Sequence, residues 1–178
     1  MAFADPKKHI AYFDLDAGMH VADFGVGAGH YAIAMAKIVG DEGRVYAIDI
    51  QKELLERVKR HAREAGVNNL EVIWGDIERV GGTRLKDASI DVVLLSNILF
   101  QIEEKSILLE EMHRILHAQG KVIVIDWSES FGNMGPHADA VVQLEVAERL
   151  FTEHDFKKDK TFDAGEHHYG CIFSKKNK

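Results

Sequence analysis

The chain has 178 residues, 46% hydrophobic and 29% charged, a balance that suits a folded globular protein. It excludes a disordered tail, a collagen-like repeat and a disulfide-stapled miniprotein. A total of 22 basic against 29 acidic side chains leaves a net charge of −7, which argues against broad, unassisted binding to a nucleic-acid backbone. One domain over residues 1–178 is expected from the length. The lone cysteine, Cys171, permits no intrachain disulfide and points to a reducing, cytoplasmic setting. No apolar run approaches a membrane span, and Met1–His9 lacks the apolar core of a signal peptide.

Asp5-Pro6 reads as an N-cap followed by proline at the first helical position, opening a helix that runs through Phe13. Val21–Phe24, Val45–Ile48, Leu70–Trp74, Ile90–Leu95 and Val122–Ile125 are strand-length and apolar on both faces, as in a parallel sheet covered by helices. Helical spacing fills the intervals. Tyr31–Val39 is alanine-rich and stops at Gly40; Gln51–Ala65 and Glu103–His117 each carry an apolar stripe, with Gly66 and Gly120 as stop signals. The interval from Leu70 to Leu95 leaves room only for a short crossover helix, with Gly81-Gly82 in a loop. Ala138–His154 reads as another helix, and Phe156–Phe162 with Tyr169–Ser174 as an antiparallel hairpin turning near Gly165. Strands alternating with helices make the chain α/β.

The segment Val21-Ala22-Asp23-Phe24-Gly25-Val26-Gly27-Ala28-Gly29-His30 runs a buried strand through an acid and three alternate glycines into a helix. Glycines there allow a tight turn and close approach of a ligand to the backbone. Open α/β sheets bind ligands at this end of the strands. A plain strand-to-helix turn is the alternative. The spacing is not the Gly-x-Gly-x-x-Gly of dinucleotide binders, and Asp23 would repel a pyrophosphate while suiting an amine. Asp49 closes the next strand, 20 residues after Gly29, where a carboxylate can accept from ribose hydroxyls. Gly75-Asp76-Ile77 follows the third strand; Asp76 can accept from an adenine amino group, with Ile50 and Ile77 sandwiching the ring. Each acid alone could be a helix cap. Three acids ending three successive strands beside a glycine turn point to a nucleoside bearing an amino-acid tail.

These residues resemble the class I S-adenosylmethionine-dependent methyltransferases. The resemblance rests on VADFGVGAG (Val21–Gly29), VYAIDI (Val45–Ile50), VIWGDIE (Val72–Glu78), IDVVLLSNILFQI (Ile90–Ile102) and HRILHAQGKVIVIDW (His113–Trp127). It implies a Rossmann-like three-layer sandwich whose seven-stranded, mostly parallel sheet has the order 3-2-1-4-5-7-6, with strand 7 antiparallel. It also implies three parts: a short N-terminal helix or lid (1–20), a cofactor-binding half (21–127), and a substrate-side loop, helix and hairpin (128–178). The implied cofactor is S-adenosyl-L-methionine, leaving as S-adenosyl-L-homocysteine. Gly25, Gly27 and Gly29 would pass beneath its methionine part, Asp23 would order the amine, and Asp49 would hold the ribose. Asp76 and Ile77 would meet the adenine, and Ser96 or Asn97 would line the methionine and substrate side.

The implied reaction is in-line methyl transfer, needing a general base only where the nucleophile must lose a proton. Ser96-Asn97-Ile98-Leu99 lacks the Asp/Asn-Pro-Pro-aromatic pattern of enzymes acting on exocyclic base amines. Candidate catalytic groups are Asp126 at the end of the fifth strand, His137 in the loop after it, and His30, with Tyr31, at the helix start. Glu166-His167-His168 makes a poor chelate, because adjacent strand residues face opposite ways, so no metal is expected. Lysines 157, 158, 160, 175, 176 and 178 read as edge-strand protection, the alternative being a docking strip for RNA or an acidic protein. Only about 20 residues precede the first strand, so an open pocket is expected. The expected acceptor is a small molecule; transfer to RNA or protein, or nucleoside binding without transfer, are the alternatives.

Overall fold

In the computed structural model, residues 6–132 and 135–176 are described; the expected cap at Asp5 lies outside them. The expected first helix is split into α1 (Pro6–His9) and a 3-10 turn over Ile10–Tyr12. Then follow β1 (His20–Phe24), α2 (His30–Val39), β2 (Arg44–Asp49), α3 (Lys52–Glu64), β3 (Leu70–Trp74) and β4 (Ile90–Ser96). The chain continues through α4 (Lys105–Ile115), β5 (Leu116–Trp127), α5 (Leu144–Glu153), β6 (Phe156–Asp163) and β7 (His168–Lys175). The seven strands lie in the order β3-β2-β1-β4-β5-β7-β6. β1 pairs parallel with β2 and β4, and β7 runs antiparallel between β5 and β6.

Alternation along the strands divides the interior in two. Val21, Val92, Leu94, Ile123 and Ile125 pack with Met35, Leu55 and Val58 of α2 and α3. Ala22, Phe24, Val93, Leu95, Val122 and Val124 pack with Leu108, Met112, Ala147 and Phe151 of α4 and α5. Covering both faces explains why the central strands read as unbroken apolar runs. Strands are added to one side from β1 to β3 and to the other side from β4 onward, which places the switch point of the sheet at the carboxyl ends of β1 and β4.

Three expectations fail locally. No helix crosses from β3 to β4; residues 75–89 form turns. The connection is instead held by Glu111 of α4, whose fully buried carboxylate accepts from Gly81 N–H at 2.7 Å and from the Thr83 backbone and hydroxyl. Arg114 closes the network on Glu111 at 2.7 Å and also reaches Asp87.

The helix expected through His117 ends at Ile115, because the Arg114 and Ile115 carbonyls accept from Ala88 and Ser89 N–H at 3.0 and 2.8 Å. Leu116 enters β5 at once, and Gly120 lies inside that strand against Leu116, where a Cβ would come within 2.7 Å of Leu116 Cδ2. The last helix starts at Leu144 rather than Ala138. Gln143 is extended and donates from Nε2 to Ser128 O at 3.1 Å, while Val142 is drawn into the core. The hairpin is as expected, and Lys158 and Lys160 on β6 pair with Glu148 and Asp14.

Burial pushes the Glu111 carboxyl up, but the Arg114, Thr83 and Gly81 hydrogen bonds outweigh it and hold the carboxyl below its ordinary range. A lowered value means stability present above the unfolded pKa and lost as the pH falls through the folded one. Glu111→Ala leaves buried N–H groups without an acceptor and Arg114 with Asp87 as its remaining ion-pair partner, at a cost of about 3–5 kcal/mol. For a chain this size that is roughly 6–20 °C in Tm, measured by thermal denaturation at pH 7. The gap between wild type and variant should narrow as the pH is lowered below about 4.

Candidate active site

The glycine turn leaves β1 at the switch point. Val26 and Gly25 N–H both donate to Ile48 O, which ties the turn to β2. Its three glycines serve different ends. A Cβ on Gly25 would meet Ile98 Cδ1 at 2.7 Å, and one on Gly29 would meet Val58 Cγ2 at 2.9 Å, so both permit close packing. Gly27, at φ +53°, would meet nothing nearer than Gly25 O at 3.9 Å. It is the glycine whose backbone is open to a ligand.

Two cavities adjoin the turn and share Gly25. One, of about 290 Å³, is lined by Asp23, Gly27, Gly29, His30, Tyr31, Ser96 and Asn97, with Pro6 of the N-terminal segment. The other, of about 160 Å³, is lined by Asp49, Ile50, Asp76 and Ile77, with Ile98 and Gln101. The structure therefore brings Asp23, Gly25, Gly27, Gly29, Asp49, Ile50, Asp76, Ile77, Ser96 and Asn97 to one end of the sheet. Asp49 accepts from Gln51 N–H at 2.9 Å and more loosely from Gly27 N–H at 3.4 Å. Asp76 Oδ1 accepts from Glu78 N–H at 2.9 Å. Ile50 is exposed and Ile77 buried, so the two walls differ.

Asp23 is buried, and its carboxyl is pushed up to about 8, by burial first and then by the nearby Asp49 charge, against one hydrogen bond from Ala32 N–H. Asn97 holds a left-handed backbone, φ +55°, and its buried Oδ1 has no partner among the described residues. A desolvated carboxyl and an orphaned carbonyl oxygen on one cavity form a cradle for a cationic donor.

The catalytic candidates fare unequally. Asp126 is fully buried, with Oδ2 accepting from Leu99 N–H and Oδ1 from Trp127 N–H, each at 2.8 Å. Burial raises it to about 6 while the Trp127, Leu99 and Ile98 N–H groups hold it down. Oδ2 braces the turn after β4, while Oδ1 is taken by the next residue of β5. His137 is exposed and lines neither cavity. His30 is exposed at the rim of the larger cavity, beside Tyr31, whose hydroxyl is 2.7 Å from His9 Nδ1. His167 turns to Glu129 and Phe131, while His168 packs on Trp127. Among the described residues no cluster of His, Cys, Asp and Glu could hold a metal. No helix among them is long and apolar enough to cross a membrane.

Sequence reasoning missed Pro6, Ile98 and Gln101. Ile98 and Gln101 reach the site because Asn97 reverses the chain and Leu99–Gln101 forms a 3-10 turn. Asparagine is among the few residues that adopt positive φ readily, and that was the available signal.

A family model described as a methyltransferase domain matches residues 15–175. The chain belongs to the methyltransferase-domain family. A solved S-adenosylmethionine-dependent methyltransferase from Aquifex aeolicus superimposes with a TM-score of 0.87 at 26% identity, covering 97% of this chain and 90% of that one. The fold is that of class I enzymes, and the cofactor is S-adenosylmethionine. A demethylmenaquinone methyltransferase of Oceanobacillus iheyensis is 28% identical over 123 residues, covering 69% of this chain and 50% of that protein. A protein-L-isoaspartate O-methyltransferase of Methanococcus maripaludis is 44% identical over 63 residues, covering 35% and 30%. The chain thus spans half or less of the length of these two curated relatives.

The buried Asp23 has a direct thermodynamic consequence. With a folded pKa raised above the unfolded value, its contribution is fully present below about pH 4 and is lost as the pH rises toward 8. Asp23→Asn removes that loss. In the ligand-free protein the variant should melt several degrees above wild type at pH 8, and the difference should shrink toward pH 5 in differential scanning calorimetry.

Proposed function

We propose that this domain transfers the methyl group of S-adenosylmethionine by in-line displacement to a small-molecule acceptor. The observation that carries the reading is the run of complementary groups across the two joined cavities. A cationic cradle at Asp23 and Asn97 leads to a bare backbone at Gly27, then to Asp49, and then to Asp76 between Ile50 and Ile77. These residues fit the cofactor's ammonium, methionine chain, ribose hydroxyls and adenine in that order.

When bound, the cofactor supplies an electrophilic methyl carbon on a sulfonium, and transfer of that carbon to the acceptor leaves a neutral thioether. The chain's own part is positioning and electrostatics. Asp23 and Asn97 hold the ammonium, and a cation there favours the ionised form of Asp23. Asp49 accepts the ribose hydroxyls, adding to the two N–H groups it already receives. Asp126 pins Leu99 and so sets the wall after β4. Where the acceptor carries a proton, His30 is the imidazole at the mouth of the larger cavity.

Pro6 and Tyr31 line that cavity beside His30. The likeness to demethylmenaquinone methyltransferase supports a small acceptor over a polymer. Methylation of a protein carboxylate is the second reading, favoured by the stretch shared with the isoaspartate enzyme.

Isothermal titration with S-adenosylhomocysteine tests the cofactor assignment. Asp49→Ala should weaken binding at least tenfold, and unchanged affinity would refute the ribose assignment. Because an ammonium contact needs ionised Asp23, wild-type affinity should rise with pH up to about 8, by at most tenfold per unit, and Asp23→Asn should flatten the slope. An assay of S-adenosylhomocysteine release comparing reduced quinones with isoaspartyl peptides decides the acceptor; turnover on the peptides alone would reverse the small-molecule reading.

A further inference from the structure

Among the described residues, six large apolar side chains are exposed, and the three most exposed, Ile50 (63%), Trp74 (50%) and Val80 (50%), line one cavity of about 470 Å³. A concentration of exposed apolar surface in one concave place marks a binding site rather than ordinary scatter. The same cavity is lined by Arg79 and Arg84. Arg84 Cζ stands 5.6 Å from the Trp74 ring centroid, and Lys52 Nζ stands 4.6 Å from it. Among the described residues none of these three cations has an ion-pair partner. In a chain of net charge −7 that is an unneutralised positive site on an acidic molecule.

The cavity is built, not incidental. Trp74 ends the edge strand β3, and its Nε1–H donates to Ile50 O at 3.0 Å, which fixes the indole. The loop carrying both arginines is anchored from behind through Gly81 and Thr83 on buried Glu111. Arg84 itself holds a left-handed backbone at φ +60°, a conformation arginine adopts only under constraint. The one carboxylate in the wall, Asp76, is already bonded to Glu78 N–H.

We infer that this cleft is a second binding site, for a small phosphate-bearing ligand with a planar apolar body, of which a nucleoside monophosphate is the simplest form. The indole and Val80 take the apolar body, and the two guanidiniums take the phosphate by charge-assisted hydrogen bonds. The cleft shares Ile50, Gly75 and Asp76 with the smaller cavity of the candidate active site. The site stands whether or not the domain transfers methyl groups.

The test is calorimetric titration of the protein with AMP after saturation with S-adenosylhomocysteine, beside adenosine and inorganic phosphate as half-ligands. Fluorescence supplies a second readout, because Trp74 is half-exposed while the other tryptophan, Trp127, is buried. AMP should bind at least tenfold more tightly than either half-ligand and should quench Trp74. Arg84→Gln and Arg79→Gln should each weaken AMP about tenfold while leaving S-adenosylhomocysteine affinity unchanged, which also shows that the variants fold. Absence of AMP binding, its loss on saturation with S-adenosylhomocysteine, or insensitivity to both arginine variants would overturn the site. If S-adenosylhomocysteine itself does not bind, the cofactor reading falls, and the same titration of free protein against Arg84→Gln still decides this one.

Discussion

Two carboxylates at the ends of adjacent parallel strands set the conditions for this end of the molecule. Asp23 and Asp49 leave β1 and β2 side by side, both nearly out of solvent, and the Asp49 charge adds to the cost of charging Asp23. Water would normally stabilise such charges, and here the apolar sheet excludes it. Asp49 is compensated by backbone N–H groups of the glycine turn and of Gln51. Asp23 has much less, and its proton is the substitute. The glycine turn, the free face of Gly27 and the unpartnered carbonyl of Asn97 all surround that one under-compensated carboxyl. A ligand with a cationic head relieves both defects at once, so part of the cost of folding this region is recovered on binding.

The rest of the scaffold keeps that arrangement rigid from the far side. Asp126 and Glu111 are the two carboxylates that the fold spends on its own loops. Asp126 holds the turn after β4, which carries Asn97 and Ile98 toward the glycine turn. Glu111 holds the loop after β3, which carries Asp76 and the two arginines. Both are buried acceptors satisfied by backbone donors, an arrangement that fixes loop geometry more sharply than apolar packing does. Four buried acidic residues thus divide into two that line cavities and two that face the chain.

The N-terminal segment belongs to the site more than its position in the chain suggests. Pro6 lines the larger cavity, His9 meets the Tyr31 hydroxyl, and Tyr12 stacks on Phe162 with ring centroids 5.0 Å apart. Asp14 reaches Lys160 of the edge strand. These contacts lay the segment across the amino end of α2 and the outer hairpin, where it narrows the space left for an acceptor.

Alternating apolar runs and helical stripes were enough to determine the layered fold, because strands covered on both faces and helices covered on one leave distinct periodicities. The spacing from Val21 to Ile77 likewise brought the acids and glycines to one end of the sheet, since each follows its own strand. The missing helix after β3, the early end of α4 at Ile115 and the late start of α5 at Leu144 were decided by tertiary partners: Glu111, the Ala88 and Ser89 N–H groups, and Ser128. No local pattern announces a hydrogen bond to a residue 28 or 30 positions away. Asp126 and His137 show the same limit at the site. One closes the fifth strand and the other lies in the loop after it, yet the first is turned inward to backbone donors and the second outward to solvent. Residue type determined what each could do, and only packing in three dimensions decided which groups lost their water and so which of them a ligand could reach.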